Sequence, residues 1–200
     1  MIAIIDYEAG NVGSVANALE RLGADYEITN DPAKVKAARG VILPGQGRAG
    51  PAMTSLQKTG LDQVIRELEQ PFLGICLGMQ VLVDESNEDN TKCLGIIPGS
   101  SGKFAANLPV PQMGWNKIDQ KQQSPLLEGI ENGAYQYFVH SYYVKTAASN
   151  TVATTDYGET FTSVIEKDNF YGVQFHPEKS GKIGGKILAN FLGLCDGVRP

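Results

Sequence analysis

The stretch FLGICLGMQ, Phe72 to Gln80, sets one thiol, Cys76, between glycines two positions before and two after it. A nucleophile carried on a sharp strand-to-helix turn needs such neighbours, because side chains there would collide. This is the nucleophile-elbow pattern with cysteine in the serine position. At a helix N-terminus the thiol also meets the positive end of the helix dipole, which favours thiolate. On this pattern alone, a small buried residue packed beside glycines is the alternative. A second stretch, VQFHPEKSG, shifts the balance, since it places His176 and Glu178 two apart beyond an apolar run. A thiol nucleophile needs a base to take its proton and return it to the leaving group, and the base needs a third group to fix its tautomer. Cys76, His176 and Glu178 are therefore the candidate catalytic residues. The other histidine, His140 in YFVHSYY, has no carboxylate near it in sequence and reads as a packed strand residue.

Acyl chemistry also needs donors for a developing oxyanion. The turn PGQG, Pro44 to Gly47, follows the apolar run GVIL and can aim backbone N–H groups at negative charge, with the N–H of Leu77 as a second donor. The same loop, GQGRAG, matches the dinucleotide fingerprint G-x-G-x-x-G. It follows the third strand instead of opening the first βαβ unit, Pro44 and Pro51 bracket it, and Glu67 falls within an apparent helix, so nucleotide binding is set aside. GKIGGK, from Gly181, is one residue short of a Walker loop and lacks its final Ser or Thr; it reads as the opening of the last helix.

The elements around these residues alternate in the first half. IAIID, DYEITN, GVILPG and PFLGI read as strands; VGSVANALERLG reads as a helix with Val15, Leu19 and Leu22 on one face, ended by Gly23. Pro51 suits the first turn of a helix through AMTSLQ; Leu61, Val64, Ile65 and Leu68 repeat at helical spacing up to Gln70, and GMQVLVDESNE reads as a helix after the elbow. Strands joined by helical crossovers imply an α/β domain, a mostly parallel central sheet flanked by helices. In the second half AYQYFVHSYYV, TSVIEK and FYGVQF are aromatic and β-branched, with KDN as a hairpin turn, which predicts a small antiparallel β portion. Residues 94–119 read as loops with short strands, and a last helix runs from Ile183 to Leu194.

Two hundred residues, 42% hydrophobic, suit one domain spanning 1–200. A net charge of −5 argues against a nucleic-acid partner. No apolar run reaches the roughly 18 residues of a membrane span. The N-terminus lacks the basic start and cleavage site of a signal peptide. Three cysteines without framework spacing suit a reducing cytoplasm, and the absence of CxxC with only two histidines argues against a zinc site.

GICLGMQ, LPGQG and FHPEKSG, in that order, resemble the class I glutamine amidotransferases, whose triad is Cys, His and Glu. PQMGWN, YFVHSYY and DNFYGVQFHPEKSGKIG narrow the resemblance to the glutaminase subunits of imidazole glycerol phosphate synthase, from about Ile4 to Leu192. Other glutaminases of the class usually carry His where Met79 stands. The resemblance implies a three-layer fold, Cys76 as nucleophile, His176 as base and Glu178 as its orienter. It also implies substrate binding by Gly45, Gln80, Ser141 and Tyr142, and an oxyanion strand around Gln46 and Gly47. It implies as well a surface of Asn11, Trp115, Tyr137 and Lys179 facing a (β/α)8 cyclase subunit. Trp115 and Tyr137 have a plain alternative as core aromatics. Glutamine would be hydrolysed through a cysteine thioester, without cofactor or metal. The ammonia would pass to the cyclase, which makes imidazole glycerol phosphate and AICAR ribotide in histidine biosynthesis. Two departures stand out: Gln46, where the family often has valine, and Gln112, where histidine often precedes MGWN. A regulatory module, a cysteine peptidase and a glutaminase serving another synthase are the competing classes.

Overall fold

In the computed structural model, which describes residues 1–7, 11–105 and 108–197, two periodicities build three layers. Strand β1 (Ile2–Ile5) is buried at all four positions, with Ala3 and Ile5 in one apolar cluster and Ile2 and Ile4 in the other. Side chains alternate across a strand, so a strand apolar at every position must be covered on both faces. Helix α1 (Val12–Arg21) covers one face through Val15 and Leu19. Leu22, expected on that face, is instead the C-cap and is exposed, because the helix stops one residue earlier and Gly23 turns the chain at φ 70°.

Strand β2 (Tyr26–Thr29) leads to α2 (Pro32–Ala37), a short helix not anticipated from the sequence. Its signal was nonetheless local: the Asp31 side chain accepts from Ala33 N–H at 2.8 Å, with Pro32 in the first turn. Then follow β3 (Gly40–Leu43), α3 (Ala49–Thr59), α4 (Leu61–Arg66) and β4 (Phe72–Ile75). Gly60, left-handed at φ 74°, separates α3 from α4, and both cover the second face through Leu56, Leu61 and Ile65.

The helix expected after the elbow is only one turn, α5 (Leu77–Gln80). Val81, Leu82 and Val83 that follow are all buried, and their carbonyls accept from the N–H groups of Leu94, Gly95, Ile96 and Ile97. A segment buried on every side takes its partners from that loop instead of continuing a one-sided helix. Short strands β5 (Glu85–Ser86) and β6 (Thr91–Lys92) lie ahead of β7 (Gly99–Lys103).

The remaining elements are β8 (Gln112–Lys117), β9 (Asp119–Gln120), β10 (Tyr135–His140), β11 (Tyr142–Thr146), β12 (Thr151–Asp156), β13 (Thr160–Lys167), β14 (Phe170–Val173) and α6 (Gly181–Cys195). The large sheet has the order β2-β1-β3-β4-β14-β13-β11-β7-β5-β6. From β2 to β14 neighbours are parallel; β14, β13, β11 and β7 then pair antiparallel, β13 and β14 across the turn at Asp168. The mostly parallel core with helices on both faces matches the sequence expectation. AYQYFVHSYYV, however, is two strands: Ser141 separates β10, which pairs only with β8 in a second sheet, from β11 in the large one.

β8 and β10 alternate strictly. Gln112, Gln136, Phe138 and His140 turn inward, while Met113, Trp115 and Tyr135 stand 65%, 56% and 50% exposed. Trp115 and Tyr137 meet edge-on across the register, 5.8 Å between ring centroids. Trp115 is therefore not a core aromatic. Inside, Phe138 meets Phe161 and Phe175 at centroid separations of 6.0 and 5.7 Å. Because Phe138 is fully buried, Phe138→Ala is expected to lose about 3–5 kcal/mol of stability, read as a lower urea midpoint at an unchanged slope.

Candidate active site

Cys76 sits between β4 and α5 with φ 54° and ψ −106°, a left-handed conformation that a side chain rarely adopts. Its N–H donates to the Val173 carbonyl at 2.8 Å, and its own carbonyl accepts from Met79 and Gln80 at 3.0 and 3.1 Å. The flanking glycines have separate steric reasons. A Cβ on Gly74 would lie 2.5 Å from the Gly78 carbonyl oxygen, and one on Gly78 would land on the Leu43 carbonyl of β3. The elbow is thus pressed against the next strand as well as folded back on its own. With α5 only four residues long, the helix macrodipole expected to favour a thiolate is reduced to that of a single turn.

His176 opens a 3-10 turn, Pro177–Lys179, beyond β14. Its N–H donates to the Tyr137 carbonyl at 2.9 Å. The Ser180 hydroxyl donates to the His176 carbonyl at 2.7 Å and accepts from Tyr137 N–H at 2.9 Å, locking the corner to β10. The imidazole Nδ1 lies 2.8 Å from Glu178 Oε1, with the two side chains 3% and 1% exposed. That contact leaves Nε2 available, and Cys76 lines the same cavity, close enough to act on the ring's protonation. Burial lowers the His176 pKa, but the bonds and charges of Cys76 and Glu178 outweigh it and raise the value to about 10. The ring therefore faces the sulfur as an imidazolium at neutral pH. Asn11, expected on a partner-facing surface, donates to Glu178 Oε1 at 3.4 Å. Among the described residues Glu178 Oε2 is buried with no hydrogen-bond partner.

A cavity of about 310 Å³ opens over Cys76 and His176. Gly45, Gln46, Gly47 and Leu77 line one side, and Gln80, Ser141 and Tyr142 line another, so each residue anticipated for oxyanion or substrate contact borders one space. The glycines of GQGRAG also find a packing reason here: a Cβ on Gly45 would lie 2.5 Å from the Gly78 nitrogen and from Leu77 Cβ. Gly47 takes φ 102°, open to glycine alone. Trp115, Tyr137 and Lys179 do not border the cavity.

Several site residues were not anticipated. Glu88 lines the cavity and accepts from Ala49 N–H at 2.8 Å. It comes from the β5–β6 connection, remote in sequence from every motif, and no local pattern announces it. Tyr7, past the end of β1, places a buried phenol near Cys76 and the Gln46 backbone; burial foremost, then the Cys76 charge, raise its pKa above the ordinary range. His140, anticipated as a packed strand residue, is buried and borders the cavity too. Its Nδ1 is 2.7 Å from the Tyr142 carbonyl, which can only accept, so Nδ1 carries a proton, and Nε2 lies 2.9 Å from Gln112 Oε1. Burial, and to a lesser degree the charge of His176, lower the His140 pKa to about 4, so it is neutral beside a charged neighbour.

A profile described as "Glutamine amidotransferase class-I" matches residues 3–194. The chain is 50% identical over 196 residues to "Imidazole glycerol phosphate synthase subunit HisH 2" of Legionella pneumophila subsp. pneumophila, covering 97% of this chain and 98% of that one. It is 47% identical to "Imidazole glycerol phosphate synthase subunit HisH" of Desulfovibrio desulfuricans, covering 98% and 95%. Among solved structures it resembles a glutamine amidotransferase at a TM-score of 0.77 and 16% identity, covering 98% and 100% of the two chains. PurLQS from Thermotoga maritima aligns at 0.72 and 18%, covering 96% and 97%.

The His176 geometry has a stability consequence. Its pKa rises from 6.5 to about 10 on folding, so its contribution is complete below the lower value and disappears as pH climbs through the higher. The unfolding free energy is expected to fall across that interval. Glu178→Gln, which removes one source of the shift, should flatten the fall in urea titrations at successive pH values.

Proposed function

The chain belongs to the class-I glutamine amidotransferases, and within them to the glutamine amidotransferase subunits of imidazole glycerol phosphate synthase; from that premise we propose that Cys76, His176 and Glu178 are its catalytic triad. The reading rests above all on one observation: a strained, glycine-flanked cysteine shares one cavity with an imidazole that is bonded to a buried carboxylate. The Cys76 thiolate attacks the side-chain carbonyl carbon of glutamine. The imidazolium of His176 gives its proton to the departing nitrogen, which leaves as ammonia, and a γ-glutamyl thioester remains. Neutral His176 then takes a proton from water, whose oxygen attacks the thioester. Thiolate is expelled, glutamate is released and the starting imidazolium is restored. The N–H groups of Gly47 and Leu77 suit the oxyanion, with Gln46 and Gly45 shaping the loop.

Glutamine's own α-groups need charge complements. Glu88 suits the α-ammonium, while Gln80, Ser141 and Tyr142 border the same space and suit its backbone. A cavity of this size suits a single amino acid better than an extended peptide, which disfavours the peptidase alternative.

Free ammonia in water is protonated and loses its lone pair, so the product must reach its acceptor without leaving the assembly. The chain is a subunit of a synthase, and the partner we propose is a cyclase forming imidazole glycerol phosphate and AICAR ribotide. The outer face of β8–β10, with Met113, Trp115 and Tyr135 exposed, is the surface best suited to it. Exposed Lys179 and half-buried Asn11, on the corner and helix beside the triad, suit its rim. Among the described residues no helix is long and apolar enough to cross a membrane. Three unpaired cysteines suit a reducing cytoplasm. In the complex with the cyclase, Cys76→Ala is expected to abolish glutamine-driven product formation yet leave ammonium-driven formation intact. Loss of both, followed as product formed from either nitrogen source, would make Cys76 a structural residue.

A further inference from the structure

Gln174, one residue past β14, is completely buried and belongs to none of the roles assigned so far. Its side-chain Nε2 lies 3.5 Å from the Cys76 sulfur, and its Oε1 lies 3.1 Å from Gln80 Nε2. Amide nitrogen and oxygen are similar in shape, so the direction of such a chain has to be fixed by a group with one role only. Here it is fixed by the Tyr142 main chain. The Tyr142 carbonyl, 2.7 Å from Gln80 Nε2, can accept but not donate, so Gln80 must turn its NH2 toward it. The second hydrogen of that NH2 then points at Gln174 Oε1, and Gln174 is left with its own NH2 against the sulfur. The order runs one way: Tyr142 carbonyl, Gln80, Gln174, Cys76.

We propose that Gln174 is a thiolate-stabilising donor, oriented through Gln80 by the Tyr142 carbonyl. It would hold the sulfur charged before attack and would stabilise it again when it is expelled from the thioester; this role rests on reading Cys76 as the nucleophile. The chain fills a need the fold leaves open, since α5 is a single turn with little macrodipole. Among the described residues, the titratable groups near the sulfur are His176 from the corner and Tyr7 from the end of β1, with His140 and Glu88 on the wall of the same cavity. Gln174 adds a donor that stays neutral over the whole pH range.

The test is the rate at which iodoacetamide alkylates Cys76, resolved by peptide mass spectrometry on the full chain across a range of pH. Cys93 and Cys195 stay silent near neutrality, because burial raises both thiols to about 12. A hydrogen bond to a charged group predicts about a tenfold slower reaction near neutrality for Gln174→Met, converging with the unsubstituted chain at strongly alkaline pH where every thiol is ionised. An unchanged rate, or the same slowing at every pH, overturns the proposal, because a packing role would alter access and not ionisation. If Gln174→Met does not fold, isosteric Gln174→Glu decides on the same two outcomes, with a larger loss expected near neutrality from carboxylate beside thiolate. A Cys76→Ala chain that still hydrolysed glutamine would sink the nucleophile reading by itself, whatever the alkylation profiles showed.

Discussion

The contact between the His176 imidazole and the Glu178 carboxylate is the interaction on which the rest of the site depends. Removing two ionisable groups from water costs several kcal/mol per charge unless geometry and further hydrogen bonds repay it. Here the pair meets at 2.8 Å almost without exposure, and a third charge-bearing group, Cys76, stands on the other side of the ring. Local sequence keeps the pair together: Pro177 fixes the backbone between the two residues, and the 3-10 turn it begins brings Glu178 back under the ring. Ser180 then fastens the turn to β10 by bonds in both directions. Glu178 thus fixes the ring, while Tyr137 and Ser180 fix the main chain that carries it.

The second constraint is steric. β3, β4 and the turn of α5 approach so closely that Gly74 and Gly78 cannot carry a Cβ, and Gly45 of the next loop presses on the same turn. These contacts set the oxyanion-side loop and the thiol in one rigid frame, while the positive φ of Cys76 is held by Val173 in front and by Met79 and Gln80 behind. Backbone strain of this sort persists only where the surroundings over-determine it.

How much of this was legible depended on how local the cause was. The elbow was readable because its steric demand falls at fixed offsets from one cysteine; the histidine and its carboxylate were readable because they are two residues apart. The buried strands IAII, GVIL and FLGI announced a sheet covered on both faces. What could not be read arises from pairings across the chain. Whether VLV continues a helix is decided by a loop more than ten residues on, whose N–H groups capture those carbonyls. The break at Ser141 follows from β10 and β11 joining different sheets, which no composition signals. Glu88 and Gln174 enter the site through contacts with Ala49, Gln80 and Cys76, none near them in sequence. Asn11 has a contact the sequence did not announce, because its side chain reaches the Glu178 carboxylate from 167 residues away.

Strand β10 joins these threads, because its two faces and its main chain serve different ends. Its inward side chains, Phe138 and His140, belong to the aromatic core, while Tyr135 and Tyr137 alternate outward beside Trp115. Its backbone meanwhile binds the site: the Tyr137 carbonyl receives His176 N–H, the Tyr137 N–H goes to Ser180, and the Val139 carbonyl lies 3.7 Å from the sulfur. One step further along the chain, the Tyr142 carbonyl orders both the neutral His140 and the amide chain leading to Cys76. A protein surface packed on the outer side chains would therefore press on the same strand whose carbonyls and amides position thiol and imidazole. Because side chains alternate with a period of two, a one-residue slip of β10 against β8 would exchange core and surface. The register that sets Tyr137 opposite Trp115 belongs to the same strand whose Tyr137 carbonyl and N–H hold the His176 corner.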